Sequence, residues 1–363
     1  MRAELPPAAK ASATDQDYRD VGHFPPAPPL PPPGEAASVS GATPPGVDWL
    51  DPDGPITGQV ADLNEASLLG PVPPAPDRGW RRAVHRMSRG AVNPGISAGQ
   101  RQRIELLARI RTPNLRCQRV AVVSLKGGIG KTTTVAVLGA TLAAMRGDRV
   151  VAVDANADGG TLAARVAGGH SHTARTLLAE LPQLTTYARV RCLLEQGPSR
   201  LHVLAGDQDP AVSQAFSDTD YRAVSDILGR YYDIVLTDCG TGLLHSAMSE
   251  VLDLADSLIV VGSVSVDGAQ CASRTLDWLD AHAYGHLVRD AHVVLSGLRP
   301  AGRELNADRI EGHFQARCGS VFTIPFDPHL ATGATIDLDA LKSSTRAAYL
   351  PLAAAIAGGF ARQ

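Results

Sequence analysis

Aromatic side chains are scarce in this 363-residue chain, at 4%. Long apolar runs are missing as well. No stretch supplies the roughly 18 uninterrupted apolar residues that a membrane-spanning helix needs, so no transmembrane helix is expected. Met1–Asp20 is charged and has no apolar core, so no secretory signal is expected either. Cysteines are few, odd in number and scattered, at Cys117, Cys192, Cys239, Cys271 and Cys318. No Cys-x-x-Cys pair or Cys/His ligand spacing occurs among them, which argues against a disulfide framework or a zinc site and for reduced thiols in a cytoplasmic protein. Neither charge sign dominates: the net charge is −3. The length suggests roughly two domains.

What is present falls into three materials. Met1–Pro76 holds 17 of the 26 prolines, including the run Pro25–Pro33, and shows no helix or strand period. Such a segment buries too little apolar surface to offset its chain entropy, which predicts a disordered arm with local polyproline II. It serves either as a spacer or as a docking arm for an aromatic-lined groove, with Trp49 marking a short binding motif or a chance apolar patch.

The stretch 77–118 reads as an arginine-rich helical linker. Eleven arginines lie from Arg78 to Arg119 against one acid, Glu105. Gln100–Arg111 has a helical period with Ile104, Leu107 and Ile110 on one stripe, and Gly79–Arg86 suggests a shorter helix. Two roles stay open for it: binding nucleic acid or an anionic membrane, or packing on an acidic flank of the following domain.

From 119 to 363, strand and helix patterns alternate. Apolar strands are predicted at Val120–Val123, Val150–Val153, Leu201–Leu204, Asp233–Thr237, Leu258–Val261, His292–Leu295 and Val321–Ile324. Uninterrupted apolar strands with intervening helices predict an α/β domain with a mostly parallel sheet of about seven to eight strands, covered on both faces. This stretch is ample for one domain burying roughly 70–75% of its unfolded surface.

The chemistry concentrates at strand ends. After Val120–Val123 comes Lys126-Gly127-Gly128-Ile129-Gly130-Lys131-Thr132-Thr133, then the apolar run Val135–Met145. Strand, glycine loop, helix is the context of a phosphate-binding loop. Glycines let successive N–H groups turn toward one anion, and the helix start adds its positive dipole end. Lys131 can reach the outer phosphates, and the Thr132 hydroxyl can ligate Mg²⁺. Val150-Val-Ala-Val-Asp154-Ala-Asn156-Ala-Asp158 places Asp154 at a strand end, where ligands of parallel sheets bind. Ile234–Thr237 runs into Asp238, followed by Cys239 and the turn glycines Gly240 and Gly242. His282 and His286 sit four apart at a predicted helix end, as a surface pair or a metal site.

The loop departs from the common pattern by carrying Lys126 where a glycine usually stands. It resembles the deviant Walker A loop of the MinD/ParA ATPases, and a P-loop NTPase fold follows from that resemblance. In that family the extra lysine reaches the partner's nucleotide across an ATP-dependent homodimer. The resemblance therefore implies ATP and Mg²⁺ as cofactors, with Gly127, Gly128, Ile129, Gly130, Lys131, Thr132 and Thr133 holding nucleotide. It implies Thr132, Asp154 and Asp238 as metal ligands, and Lys126, Lys131, Asp154 and Asn156 as catalytic. Asp238 would belong to a Walker B strand with a switch turn behind it. Pro325, in Ile324-Pro325-Phe326-Asp327, would lie near the adenine, and Ser296 would stand where relatives carry a base-reading asparagine. The chain departs from the family at Asn156, where relatives carry the aspartate that orients the attacking water. Some relatives bind an iron–sulfur cluster through two cysteines, and the single Cys239 reads as a core residue. The tail Tyr349–Gln363 lacks the basic face of a MinD membrane helix and reads as a packed terminal helix.

A narrower resemblance runs through Gly79-Trp-Arg-Arg, Arg109-Ile-Arg-Thr-Pro113, Asp154–Thr161 and Ile324–His329. These look like the actinobacterial MinD/ParA-like proteins associated with type VII secretion, the EspI-like group. The expected function is a slowly hydrolysing, nucleotide-dependent dimerisation switch serving a secretion complex. Recruitment to the inner face of the membrane stays open. So do two other functions, a nucleotide-bound interaction module and a ParA-like DNA-positioning ATPase.

Overall fold

Eight strands line up in the order β3-β4-β2-β5-β1-β6-β7-β8. They are β1 (Gln118–Val123), β2 (Val150–Ala155), β3 (Glu195–Gln196), β4 (His202–Leu204), β5 (Ile234–Cys239), β6 (Ser257–Ser263), β7 (His292–Ser296) and β8 (Ser320–Ile324). Every pairing is parallel except that of β3 with β4. The computed structural model describes residues 74–77, 79–156, 159–207, 216–241, 246–297 and 307–359. Most of the proline-rich arm, Trp49, Arg78, Asp158, Gly242 and the last four residues lie outside the described residues.

Helices α1 (Gly79–Met87) and α2 (Ala98–Ile110) precede the sheet, and α3 (Lys131–Met145) joins β1 to β2. Between β2 and β3 lie α4 (Leu162–Ala167), α5 (Ala174–Glu180) and α6 (Tyr187–Cys192). Later connections carry α7 (Asp218–Gly229), α8 (Ser246–Leu254), α9 (Val266–Ala281), α10 (Gly285–Asp290) and α11 (Ala307–Gln315). The described chain closes with α12 (Pro328–Ala331) and α13 (Ser343–Gly359).

Alternation along the strands assigns each residue to one face, as the period of two requires. Val120 and Val122 join a core with α3 and α13, whereas Ala121 and Val123 join one with α8 and α9. Helix α3 is buried nearly all round because it lies between the sheet and α13. Its Gly139 allows this: an added Cβ would come within 2.9 Å of Leu201 and Leu236 side chains.

Helix α2 begins at an N-cap, Ser97 Oγ accepting from Gln100 N at 3.1 Å. It packs against α13, within one compact unit, Val72–Gln363. The apolar stripe differs from the predicted one. Ile110 is fully buried and Leu106 and Leu107 pack on the core, while Ile104 is exposed. The partner helix α13 approaches from one side, so the i, i+3, i+4 set 106, 107 and 110 meets it.

Candidate functional site

The loop between β1 and α3 is wound by two glycines in left-handed conformation, Gly128 at φ 69° and Gly130 at φ 106°. Gly130 is the N-cap of α3, and a Cβ there would stand 3.1 Å from the Ser296 hydroxyl. Left-handed backbone and lack of space both require glycine at that position. Ile129 is buried beneath the loop and anchors it. Lys131 is buried too, and its Nζ donates to Lys126 O at 3.2 Å, curling back over the loop. The ammonium is thus held where the loop backbone converges, beside the positive end of α3.

Behind the loop stands a buried acidic pair. Asp154 and Asp238 face each other in register at the ends of β2 and β5. Thr132 Oγ1 donates to Asp238 Oδ2 at 2.6 Å. Asp238 Oδ1 is buried and meets no hydrogen-bond partner among the described residues. Asp154 is otherwise engaged: Oδ2 accepts from Leu162 N at 2.9 Å and Oδ1 from Asn156 N at 3.2 Å. A Cβ on Gly160 would lie 2.5 Å from Asp154 Oδ2, so glycine there lets the carboxylate close the turn into α4.

Burial pushes both carboxyls above the usual carboxylate range. At Asp238 the neighbouring Asp154 pushes further, and the Thr132 hydroxyl and Lys131 charge only partly offset it. At Asp154 the backbone donors of Leu162 and Asn156 pull the other way. An orphaned buried carboxylate oxygen, a hydroxyl beside it and a second carboxylate form an all-oxygen donor set that fits a hard divalent cation.

Lys126 lies outside this pocket. It is exposed at the loop mouth and forms an ion pair with Asp267, in the first turn of α9. That partner's hydrogen bond and charge raise the Lys126 pKa and lower that of Asp267. Leu125 and Val266, next to the pair in sequence, are exposed apolar residues. Asn156 follows Asp154, and its Nδ2 donates to Gly159 O at 3.2 Å within its own turn.

On the other side, Gly297 N donates to Ile324 O at 2.6 Å, pinning the end of β7 to that of β8. Pro325 follows, and Asp327 then caps α12, accepting from His329 N at 2.9 Å and from Lys342 N at 2.9 Å. Burial pushes Asp327 up, but these donors and the Thr345 hydroxyl outweigh it and hold the carboxyl below its usual range. Ser296 ends β7, the strand position expected for it. Its hydroxyl sits against Gly130 of the phosphate loop.

Two residues at this site carry no sequence signal strong enough to have been singled out. Asp267 is one, an acid in a helix first turn. The other is Arg165 on α4, whose Nη2 donates to Thr133 Oγ1 at 2.8 Å. Cys239 is fully buried, and its thiol is pushed up by burial and by Asp238. His282 stacks on Trp278 with ring centroids 4.0 Å apart, and its Nδ1 contacts Trp278 O. Among the described residues no group of three His, Cys, Asp or Glu side chains is placed to hold a metal.

The arginines of the linker divide. Arg116 pairs with Asp256, and Arg119 uses Nε on Ser225 Oγ at 2.7 Å, so these two pack on the domain. Arg82 and Arg86 on helix α1 and Arg89 in the turn after it are exposed, as are Trp80 and Met87 on that helix. No described helix is long and apolar enough to cross a membrane.

A phosphate-type loop after a central parallel strand, backed by a buried Thr–Asp pair at a neighbouring strand end, defines a P-loop nucleotide-binding fold. Residues 120–353 match the CobQ/CobB/MinD/ParA nucleotide binding domain family, and the chain belongs to that family. Among curated proteins it is similar to the ESX-1 secretion-associated protein EspI of Mycobacterium tuberculosis (strains CDC 1551 / Oshkosh and ATCC 25618 / H37Rv), at 38% identity over 287 residues. That match covers 78% of this chain but 43% of the relative, so the chain spans less than half the length of these relatives.

Solved structures share the fold. A ParA family ATPase from Chlorobium tepidum TLS superposes with TM-score 0.56 and 20% identity, covering 65% of this chain and 98% of that one. The cell division ATPase MinD of Pyrococcus furiosus gives TM-score 0.52 and 23% identity, covering 66% and 98%. The septum site-determining protein MinD from Pyrococcus horikoshii OT3, complexed with Mg-ADP, gives 0.51 and 21%, covering 65% and 94%.

Proposed function

We propose that this chain is an ATP-dependent dimerisation switch that hydrolyses ATP slowly and serves a type VII secretion system. The observation that carries the reading is the division of labour between two lysines of one loop. Lys131 is buried with its Nζ over the loop, whereas Lys126 is exposed at the mouth and paired with Asp267; in this reading it leaves that pair to serve a second copy. Support for the secretion role comes from the likeness to the ESX-1 secretion-associated protein EspI.

In this reading the N–H groups of Gly127–Thr133 hold the phosphates, and Lys131 adds a point charge on the outer ones. Thr132 and Asp238 hold Mg²⁺, which when bound shields the phosphate charges. Asp154 keeps the turn after β2 in place and lends its negative charge to the cation site. Pro325 fixes the loop on the base side. Asn156 orients water from the amide but takes no proton, because an amide is not a base.

Nucleotide binding is tested by calorimetry. The unmodified protein should bind Mg-ADP and Mg-ATP, and Lys131→Ala should weaken ATP at least about tenfold, which is about 1.4 kcal/mol. Equal affinity in the variant removes the site assignment.

A second reading is favoured by Asn156, whose amide is engaged by Gly159 O. The chain would then be a nucleotide-bound interaction module with little hydrolysis. Light scattering with ATP and with ADP separates the two. An ATP-specific dimer supports the switch, and a state independent of nucleotide supports the module.

A further inference from the structure

Arg165 lies on α4 with 8% of its surface exposed. Its Nη2 donates to Thr133 Oγ1 at 2.8 Å and to Leu330 O at 3.3 Å, and its Nε is buried with no partner among the described residues. Among the described residues no carboxylate forms an ion pair with it. A guanidinium largely removed from water, its buried Nε unpartnered and its Nη2 met only by neutral oxygens, is costly to bury. That cost is recovered when an anion lies nearby.

Thr133 is the last residue of the phosphate loop. A hydroxyl has one proton and two acceptor lone pairs. With Arg165 donating to one lone pair, the Thr133 proton is left to donate to another acceptor, and the cation polarises it for that purpose. The backbone around Arg165 holds the arrangement: Ile336 N donates to Arg165 O at 2.8 Å, and Thr335 Oγ1 donates to Ala164 O at 3.1 Å.

We propose that Arg165 is a positioning residue of the phosphate site, its buried and unneutralised charge fixing and polarising the Thr133 hydroxyl toward a phosphate group held by the loop. The proposal rests on the nucleotide-binding reading above. The rival role is a tie between α4 and α12 through Leu330 O, with no part in binding.

Calorimetry of Mg-ADP with full-length protein decides between them, alongside thermal unfolding of the nucleotide-free protein. Arg165→Met, which removes the charge at similar length, should lower ADP affinity about tenfold, the loss of one charge-assisted hydrogen bond. The charge-retaining Arg165→Lys should recover at least half of that loss on a logarithmic scale. Thr133→Val should cost a similar factor, and the double variant should be no worse than either single one, because the two groups act as one unit. The nucleotide-free Arg165→Met protein should unfold at or above the temperature of the unmodified chain, since it no longer buries an unpaired charge.

Unchanged ADP affinity in Arg165→Met, together with a lowered unfolding temperature, would establish the structural tie and overturn the proposal. Additive effects in the double variant, or equal losses in the Lys and Met variants, would overturn it as well. If the unmodified protein fails to bind ADP, the nucleotide reading falls and takes this proposal with it. If it binds and Arg165→Met binds equally well, only this proposal falls.

Discussion

Lys126 and Asp267 pair within one chain across the mouth of the phosphate loop, joining its first residue to the first turn of α9. If Lys126 serves the nucleotide of a second copy, this pair must open before dimerisation. Both partners are exposed, so the pair is a weak latch, comparable with other surface ion pairs.

Removing the latch should favour the dimer. Asp267→Asn is expected to leave ADP affinity unchanged and to raise the dimeric fraction at a fixed ATP concentration by a factor of about two to five. Lys126→Ala should also leave ADP binding intact but abolish the ATP-dependent dimer. Light scattering reads both variants. A dimer that persists in Lys126→Ala would show that Lys126 has no role in the partner's site.

The acidic pair predicts a pH dependence. Asp154 and Asp238 have folded-state pKa values raised above the ordinary carboxylate value of about 4. In the interval between the unfolded and folded values, the folded state binds more protons than the unfolded state. Unfolding free energy therefore falls as pH rises through that interval. The nucleotide-free protein should lose stability from about pH 4 upward until the raised values are passed, as far as this pair contributes. Asp238→Asn should flatten that slope and raise the midpoint at neutral pH, by about 2–4 °C per kcal/mol relieved. It should also remove the stabilisation that Mg²⁺ adds. Thermal melts across pH, with and without Mg²⁺, test this, and an unaltered slope in Asp238→Asn would show that Asp238 does not set the pH dependence.

Much of the sheet could be read from sequence because its strands are buried on both faces and so form unbroken apolar runs. Val150–Val153 and Leu258–Val261 are examples, the first extended in the structure by two residues and the second by three. Strand β3 escaped because it is two polar residues, Glu195–Gln196, on the sheet edge. Helices α4 and α6, six residues each, are too short to show a period. The phosphate loop is local chemistry in eight consecutive residues and could be read directly. Arg165 could not, because its bond to Thr133 spans 32 positions and depends on how α4 folds back on the loop.

The arginine-rich segment calls for point substitutions instead of truncation. Ile110 is fully buried against the core, so deleting the segment would damage the domain as well as remove charge. Arg82, Arg86 and Arg89 are exposed on or beside α1. If they bind polyanions, replacing all three with serine should weaken DNA or anionic-liposome binding and reduce the log–log salt slope for DNA by about 2.7, roughly 0.9 for each phosphate no longer neutralised. Weakening toward liposomes alone would assign the surface to a membrane, and weakening toward DNA alone to nucleic acid. Binding unchanged toward both would leave this helix without a polyanion role.

Asn156 sets the expected speed of the chemistry. Phosphoryl transfer is catalysed mainly by positioning and charge stabilisation, so a side chain that holds the attacking water matters by orders of magnitude. The Asn156 amide donates to Gly159 O at 3.2 Å, and its backbone N–H donates to Asp154 Oδ1 at 3.2 Å, so the residue is fixed within the turn after β2. A carboxylate at this position would forgo the bond to Gly159 O but could accept the proton of the water, a contribution typically worth about 10²–10⁴ in rate. Intrinsic hydrolysis should therefore lie well below about 1 s⁻¹, the low end for ordinary enzymes. Asn156→Asp should raise it about tenfold or more, the missing bond to Gly159 O offsetting part of the gain. Asp158→Ala should lower the rate only if that neighbouring acid already serves as the base. Single-turnover ATP cleavage with Mg²⁺ measures all three proteins. Fast cleavage by the unmodified chain, insensitive to both substitutions, would mean that another residue positions the water and that Asn156 belongs to the turn alone.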